Sequence, residues 1–206
     1  AVLGGHGRCR MTALTVCRGL PASGKTTYAR DLIRQQRAAG RRMSRVNRDD
    51  LRAMHFGENG HGVDEAAVTA AQHAAIAALL AAGSDVVCDD TNLASRYVRA
   101  LMETAGRAGA VVVIADRFLS VPVEECVRRD ALREPSVGEA VIRGMHQRYL
   151  AGKSTLTVPI LVPPTNSAPY VPVEDTPTAV IVDIDGTLAL MNGRSPYDWS
   201  RVGEDE

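Results

Sequence analysis

Short apolar runs alternate with helical patterns over the first three quarters of the chain. The apolar runs cover residues 14–20, 43–47, 85–89 and 110–115. The first is followed by a glycine-rich turn and a helical pattern over 26–39, and helical patterns also follow the other three. Strands that alternate with helices predict a parallel sheet covered by helices on both faces. We therefore expect an α/β fold.

The pattern changes after residue 158. Residues 159–177 contain six of the ten prolines, which excludes a helix or a central strand and predicts a linker. A new apolar run over 179–182 predicts a buried strand that ends at Asp183. The predicted organisation is a tag or disordered extension over 1–10, an α/β domain over 11–158, the linker, and the first strand of a truncated second α/β domain over 178–206.

Charges cancel over the whole chain but not along it. The 24 basic and 24 acidic residues give a net charge of zero, which argues against a histone-like nucleic-acid binder. Residues 1–163 hold 22 basic and 16 acidic side chains, whereas residues 164–206 hold 2 and 8. All basic residues except Lys25 and Lys153 are arginines, which suit bidentate phosphate contacts, although coding bias gives the same composition.

The four cysteines form no CxxC pair and have no metal-ligand spacing with the five histidines. This usage predicts reduced thiols in a cytoplasmic protein. We expect neither a membrane span nor a signal peptide, because no apolar run reaches the length of about 18 residues that a span requires.

Residues 19–26, GLPASGKT, match the pattern GxxxxGK[ST] between a predicted strand and a predicted helix. The glycines let backbone amides face phosphate oxygens, and the helix N-terminus adds a positive dipole. We expect Lys25 to contact the β- and γ-phosphates and Thr26 to give its hydroxyl to Mg²⁺. The alternative is a glycine turn without a ligand. The candidate nucleotide-binding residues of the loop are Gly19, Ser23, Gly24, Lys25, Thr26 and Thr27.

Acidic residues follow the second and third predicted strands, at the sheet edge where open α/β folds bind ligands. Asp49 is a candidate general base for a hydroxyl, and Arg52 is placed to hold a substrate phosphate beside it. An N-cap aspartate with a solvated arginine is the alternative. Asp89 and Asp90 end the third strand, and they indicate either a metal-organising acid or a cap for the next helix.

Three arginines, Arg128, Arg129 and Arg133, are predicted to lie in one helix after the fourth strand. Arg129 and Arg133 share a face of that helix, where like charges repel unless an anion lies between them. The pattern predicts a lid that closes over a triphosphate. A solvated basic face is the alternative.

A second motif, Asp183-Ile184-Asp185-Gly186-Thr187, follows the apolar run over 179–182. Two carboxylates at this spacing suit an aspartyl nucleophile and a neighbouring acid that work with Mg²⁺.

These motifs, in this order, resemble the bacteriophage-type polynucleotide 5′-kinase/3′-phosphatases, which heal nucleic-acid ends. The resemblance covers residues 12–206 and continues through MNGRSPYD at 191–198. It implies a P-loop NTPase-type kinase domain over 11–158 and the beginning of a haloacid-dehalogenase-type phosphatase domain over 178–206.

The resemblance also implies residue roles. On the acceptor side, Asp49 is the general base toward the 5′-hydroxyl and Arg52 holds the phosphate on the 3′ side of the acceptor nucleotide. The other acceptor residues are Asp90, Thr91 and Val137, of which Val137 lies against the base. Arg133 contacts the donor phosphates, and Arg129 is a second lid residue. In the phosphatase, Asp183 is the nucleophile, Asp185 its acid/base and metal-binding partner, and Arg194 a substrate-phosphate ligand.

We therefore expect an ATP- and Mg²⁺-dependent enzyme that transfers the γ-phosphate of ATP, or of another NTP, to the 5′-OH end of RNA or DNA. The resemblance implies cooperation with a polynucleotide ligase, a homo-oligomer, no membrane partner and a cytoplasmic location, in the host if phage-encoded. Because the chain ends at Glu206, before the later phosphatase strands, we expect kinase activity without phosphatase activity.

Two other functions are weighed against this one. A P-loop kinase of a small metabolite or nucleoside leaves Arg52 without a phosphate to hold. A nucleotide-dependent switch is disfavoured because the sequence has no NKxD motif.

Overall fold

The computed structural model describes residues 11–57, 62–153 and 155–161, and this part of the chain contains four strands and six helices. The strands are β1 (Ala13–Gly19), β2 (Met43–Val46), β3 (Asp85–Cys88) and β4 (Val111–Phe118). The helices are α1 (Lys25–Ala38), α2 (Arg48–Phe56), α3 (Glu65–Ala81), α4 (Ser95–Arg107), α5 (Val123–Asp130) and α6 (Glu139–Tyr149).

The strands form one parallel sheet in the order β2-β3-β1-β4. Strand β1 pairs with β3 from Leu14 opposite Val86 to Val16 opposite Cys88. On its other side β1 pairs with β4, which extends three residues beyond the predicted run and ends at Phe118. The predicted α/β fold with a parallel sheet is confirmed for the described residues.

Alternation along the strands divides the core between two faces of the sheet. One cluster joins β1 and β3 to α3 and α4, and it includes Leu14, Val16, Val86, Cys88, Ile76 and Leu101. The other joins the opposite face to α1, and it includes Cys17, Val87, Phe118 and Ala29. Helices therefore cover both faces, as near-continuous apolar strands require.

A third cluster lies beyond the carboxyl ends of the strands. Leu20 and Leu93 pack there against Cys126 of α5 and Ile142 of α6. This packing fixes α5 and α6 beside the sheet edge where ligands bind in such folds.

The structure excludes one alternative and corrects one local prediction. Asn47, not Asp49, caps α2, because the Asn47 side chain accepts a hydrogen bond from the Asp50 amide. Arg133 does not share a helix with Arg129, because α5 ends at Asp130. A proline at position 135 disfavours helical backbone just before it, so the chain turns instead.

Several predictions lie outside the described residues. They concern the extension over 1–10, the linker beyond residue 161, and the segment over 178–206 with Asp183, Asp185 and Arg194. The described cysteines, Cys17, Cys88 and Cys126, are buried free thiols. Among the described helices, none has the length and apolarity that crossing a bilayer would require.

Gly19 ends β1 where the sheet and the loop over 19–26 meet. A Cβ at this position would lie 2.6 Å from the Phe118 Cβ and 2.8 Å from the Ser23 Oγ. We expect Gly19→Ala to lower the free energy of unfolding, measured by urea denaturation, by about 1–3 kcal/mol because of this overpacking.

The matched control is Gly106→Ala in α4, where an added Cβ meets nothing within 4 Å. We expect it to be neutral or stabilising by up to about 1 kcal/mol, because alanine favours the helix. Equal stability of Gly19→Ala and wild type would show that the loop does not need glycine there.

Candidate active site

The loop over 19–26 connects β1 directly to α1 and has the backbone of a phosphate cradle. Ala22 and Gly24 adopt the left-handed conformation, with φ of 57° and 98°. The Gly19 amide donates to the Thr91 carbonyl oxygen at 3.0 Å, which fixes the loop to the segment that follows β3. Such turns direct successive amides toward one point, where they bind anions.

Lys25 is the first residue of α1, and its side chain is buried across the loop. Its Nζ donates to the carbonyl oxygens of Gly19 and Leu20, at 3.0 and 2.5 Å, and to the Ser23 Oγ at 3.3 Å. Burial lowers the pKa of Lys25 to about 8. The ammonium group thus lies at the cradle with no directly bonded carboxylate among the described residues.

A cavity of about 380 Å³ opens at this loop. Its lining residues are Ala22, Gly24, Lys25, Thr26, Thr27, Arg129 and Arg133. The structure therefore brings both predicted lid arginines to the P-loop, although only Arg129 lies in the helix. Three cationic side chains and the backbone amides of the loop thus surround one cavity, and this arrangement suits a polyphosphate.

The position of Arg133 depends on Asp130, a buried residue that the sequence analysis missed. The Asp130 carboxylate accepts from the Arg133 Nε at 2.6 Å, the Ser136 Oγ at 2.7 Å and the Gly138 amide at 2.8 Å. Burial works against ionisation, but these hydrogen bonds lower the pKa of Asp130 to about 2. A carboxylate at the buried end of an amphipathic helix is the signal that would have revealed it.

Asp89 and Asp90 follow β3 and contact different faces of the sheet. Asp89 neighbours Thr26 of α1 and accepts from the Arg45 Nε at 2.9 Å. Asp90 contacts the opposite face, where Gln72 of α3 donates to it. Alternation of successive side chains explains the division, and it assigns Asp89 to the nucleotide side.

Asp89 and Thr26 have the chemistry of a Mg²⁺ site. The Asp89 Oδ2 is buried and accepts no hydrogen bond from any described residue. Burial raises the pKa of Asp89, whereas the neighbouring Thr26 hydroxyl and Arg45 guanidinium lower it. Hard oxygen ligands, one carboxylate and one hydroxyl beside substrate phosphates, are what Mg²⁺ prefers. The residues present therefore fit this ion.

Asp90 organises the start of α2 instead. Its Oδ1 accepts from the Arg48 amide at 2.9 Å, and its Oδ2 lies 3.7 Å from the Arg48 Nε. The alternative that Asp89 or Asp90 caps the next helix is wrong, because Ala94 is the N-cap of α4 and no side chain caps it. Asp90 thus fixes the backbone that carries Asp49.

Asp49 and Arg52 lie three residues apart near the start of α2 and form an ion pair. The Arg52 Nη1 donates to the Asp49 Oδ1 at 2.6 Å, and the Asp49 side chain is 88% exposed. Glu65, which the sequence analysis missed, accepts from the Arg52 Nε and Nη2 at 2.6 and 2.9 Å. Hydrogen bonding to Glu65 raises the pKa of Arg52 and lowers that of Glu65. The Nε and Nη2 atoms of Arg52 are therefore held by Glu65.

Val137 lies outside the P-loop cavity. It is an exposed residue in the connection between α5 and α6, next to the Gly138 amide that Asp130 holds. Thr91 contributes its carbonyl oxygen to the Gly19 contact. Its neighbour Asn92 donates through Nδ2 to the Cys17 carbonyl oxygen at 2.9 Å, which ties the end of β3 to β1.

The family model described as AAA domain matches residues 14–156, more than two thirds of the chain. The chain belongs to the AAA domain family. This AAA domain includes every described site residue named above. A second model, described as the polynucleotide kinase PNKP phosphatase domain, matches residues 177–206, which contain Asp183, Asp185 and Arg194.

One curated protein and two solved structures match the chain over more than the AAA domain. A protein of Autographa californica nuclear polyhedrosis virus that carries the name of a bifunctional polynucleotide kinase/RNA ligase is 27% identical, over 94% of this chain and 27% of its own length. A structure of the Pnkp1/Rnl/Hen1 RNA repair complex is 29% identical, with a TM-score of 0.60, over 100% of this chain and 66% of that one.

A further structure of the Pnkp1/Rnl/Hen1 complex is also 29% identical, with a TM-score of 0.56, over 98% of this chain and 63% of that one. The chain thus spans about a quarter of the curated relative's length and just under two thirds of the solved chains.

The lowered pKa of Lys25 predicts proton uptake on nucleotide binding. Above about pH 8 the free AAA domain loses the Lys25 proton, and a bound polyphosphate restores it by stabilising the ammonium form. Calorimetric titration with ATP at about pH 9, in buffers of different ionisation enthalpy, measures the uptake. We expect it to shrink toward about pH 7 and to vanish in Lys25→Met. Identical heats in all buffers at the higher pH would contradict this.

Asp130 and Glu125 are two carboxylates that pair with arginines of the predicted lid, and their variants can be compared. Asp130→Asn leaves Arg133 without its buried carboxylate, and we expect it to cost about 2–4 kcal/mol in urea denaturation. Because the pKa of Asp130 is lowered, this contribution is complete above pH 3.8 and declines as the pH falls toward about 2. Glu125→Gln removes the partner of the exposed Arg128 and Arg129 and should change stability little, because surface ion pairs contribute little. Equal effects of the two substitutions would argue against the Asp130 anchor.

Proposed function

We propose that this AAA domain is an ATP-dependent polynucleotide 5′-hydroxyl kinase. The observation that carries the proposal is the sheet edge itself, where a P-loop cavity with two arginines lies on the side of β1 and the Asp49–Arg52 pair follows β2. The names of the viral relative and of the RNA repair complexes support the same reaction. A donor site and an acceptor site at one edge are what phosphoryl transfer requires.

The donor site binds the triphosphate of ATP. The loop amides and Lys25 hold the β- and γ-phosphates, and Arg129 and Arg133, which line the same cavity, neutralise charge on the transferred group. Thr26 and Asp89 would hold Mg²⁺, which supplies further charge neutralisation and orients the phosphates. ATP replaces the carbonyl contacts of Lys25 with stronger hydrogen bonds to anionic phosphate oxygens.

The acceptor site aligns and deprotonates the 5′-hydroxyl. Arg52 holds the phosphate on the 3′ side of the acceptor nucleotide, and Glu65 keeps the guanidinium in place. Asp49 takes the proton as the 5′-oxygen bonds to the γ-phosphorus and the bond to the β-phosphate oxygen breaks, releasing ADP. Asp90 positions the start of α2, and Thr91 and Val137 complete the acceptor side.

The wider setting is end repair of RNA or DNA. The viral relative's name pairs a polynucleotide kinase with an RNA ligase, so we propose cooperation with a polynucleotide ligase. We also propose a cytoplasmic location and a homo-oligomer. The match at 177–206 supports a 3′-phosphatase in the whole protein, with Asp183 as nucleophile, Asp185 as its partner and Arg194 as phosphate ligand.

Transfer of γ-labelled phosphate from ATP to a 5′-OH oligonucleotide tests the proposal. We expect Asp49→Asn to lower the transfer rate by about 100-fold or more, because the general base is lost, with ATP affinity nearly unchanged. The control Asp31→Asn changes a carboxylate on α1 that pairs with Arg34 and should transfer as wild type.

Two results would overturn the proposal. The first is full transfer by Asp49→Asn. The second is a wild-type protein that labels free nucleosides or small metabolites but not 5′-OH oligonucleotides, which would indicate a metabolite kinase of the same fold. Matched RNA and DNA acceptors in the same assay give the preferred nucleic acid.

A further inference from the structure

A second groove lies at the same sheet edge, between the start of α4 and the end of α6. Its volume is about 400 Å³, within the range of roughly 300–1,000 Å³ that ligand sites occupy. The basic residues that line it are Arg96, Arg148 and Lys153, and the lining includes Tyr149 and Leu156. No carboxylate lines this groove in the part of the chain that the structure describes.

The cations of the groove differ from many arginines elsewhere on the domain. Surface arginines such as Arg34, Arg128 and Arg143 each pair with a nearby aspartate or glutamate. Within residues 11–57, 62–153 and 155–161, Arg96, Arg148 and Lys153 form no ion pair with a carboxylate. Their charge is therefore available to an external anion.

Tyr97 connects the groove to the acceptor side. The Arg48 guanidinium lies 4.9 Å from the centroid of the Tyr97 ring, and the Arg96 guanidinium lies 4.8 Å from it. The Arg96 Nη2 also donates to the Tyr97 hydroxyl at 3.0 Å. Arg48 directly precedes Asp49 in the first turn of α2. Cations and a tyrosine ring thus continue from the acceptor site into the groove.

We propose that this groove binds the sugar-phosphate backbone of the acceptor strand beyond its terminal nucleotide. The inference rests on the proposed kinase function and extends its acceptor site. Arg96, Arg148 and Lys153 contact successive phosphates, and the Tyr149 ring in the groove lining offers a surface on which a base stacks. This arrangement recognises single-stranded nucleic acid by charge and stacking, without reading its sequence.

The test compares two acceptors, a nucleoside 3′-monophosphate and a single-stranded 5′-OH oligonucleotide. In the triple variant Arg96→Ala/Arg148→Ala/Lys153→Ala we expect KM for the oligonucleotide to rise about tenfold or more at low salt, with kcat unchanged. KM for the monophosphate should stay at the wild-type value, because that acceptor ends before the groove. The salt dependence of oligonucleotide KM should weaken by a slope of about two, the value for three lost phosphate contacts on a single strand.

The control variant Arg30→Ala/Arg34→Ala/Arg37→Ala removes the same charge from exposed positions of α1. We expect its oligonucleotide KM to match wild type. Thermal unfolding of both triple variants, and the single variants Arg96→Ala and Arg148→Ala, separate loss of the groove from loss of the fold.

Unchanged oligonucleotide KM in the groove variant would overturn the inference, as would equal increases for both acceptors or equal effects of the two triple variants. Failure of the proposed kinase function can be distinguished from failure of the groove proposal. A wild-type protein that phosphorylates neither acceptor contradicts the kinase, whereas fluorescence anisotropy of a labelled oligonucleotide still tests the groove directly. Equal affinity of wild type and the groove variant in that measurement would contradict the groove alone.

Discussion

Parallel pairing of β1 with β3 is the constraint on which the rest of the site depends. It places the P-loop, which ends β1, beside the acidic residues that end β3, and the hydrogen bond from the Gly19 amide to the Thr91 carbonyl fixes that alignment. Strand alternation then assigns Asp89 to the face of Thr26 and Asp90 to the face of α3. One strand pair thereby organises both the nucleotide side and, through Asp90 and Arg48, the start of α2.

Two buried charged groups at this sheet edge, Lys25 and Asp89, are not fully paired by the described residues. Lys25 is buried against carbonyl oxygens, and Asp89 has one oxygen on Arg45 and one without a partner among the described residues. Buried charges without full pairing are costly, so they favour a ligand that completes them. The phosphates of a triphosphate would supply the negative charge that Lys25 lacks, and Mg²⁺ would supply the positive charge that Asp89 lacks. Asp130 likewise fixes Arg133, which still lines the cavity at the P-loop.

The sequence predicted the elements that depend on local patterns. Apolar runs, the P-loop spacing and the acids after strands are short-range features, and the fold confirms the strands and the parallel sheet. Lys25, Arg129 and Arg133 line one cavity in the structure. Features set by tertiary contacts were out of reach. Glu65 meets Arg52 only through packing of α2 on α3, and Asp130 acts through a turn that ends α5 at a position where the arginine spacing predicted continued helix. Which of Asp89 and Asp90 lies on the nucleotide side likewise depends on which face of the sheet each side chain contacts.

We propose that the β1–β3 pair builds a nucleotide site in which Asp89 and Thr26 hold Mg²⁺. The most direct measurement is the Mg²⁺ dependence of ATP affinity, by calorimetry, for wild type, Asp89→Asn and the control Asp50→Asn, which removes the other carboxylate on Arg45. Mg²⁺ should strengthen ATP binding to wild type and to Asp50→Asn by about tenfold or more, and Asp89→Asn should lose most of that gain while binding metal-free ATP as wild type does. An undiminished Mg²⁺ effect in Asp89→Asn would contradict the account.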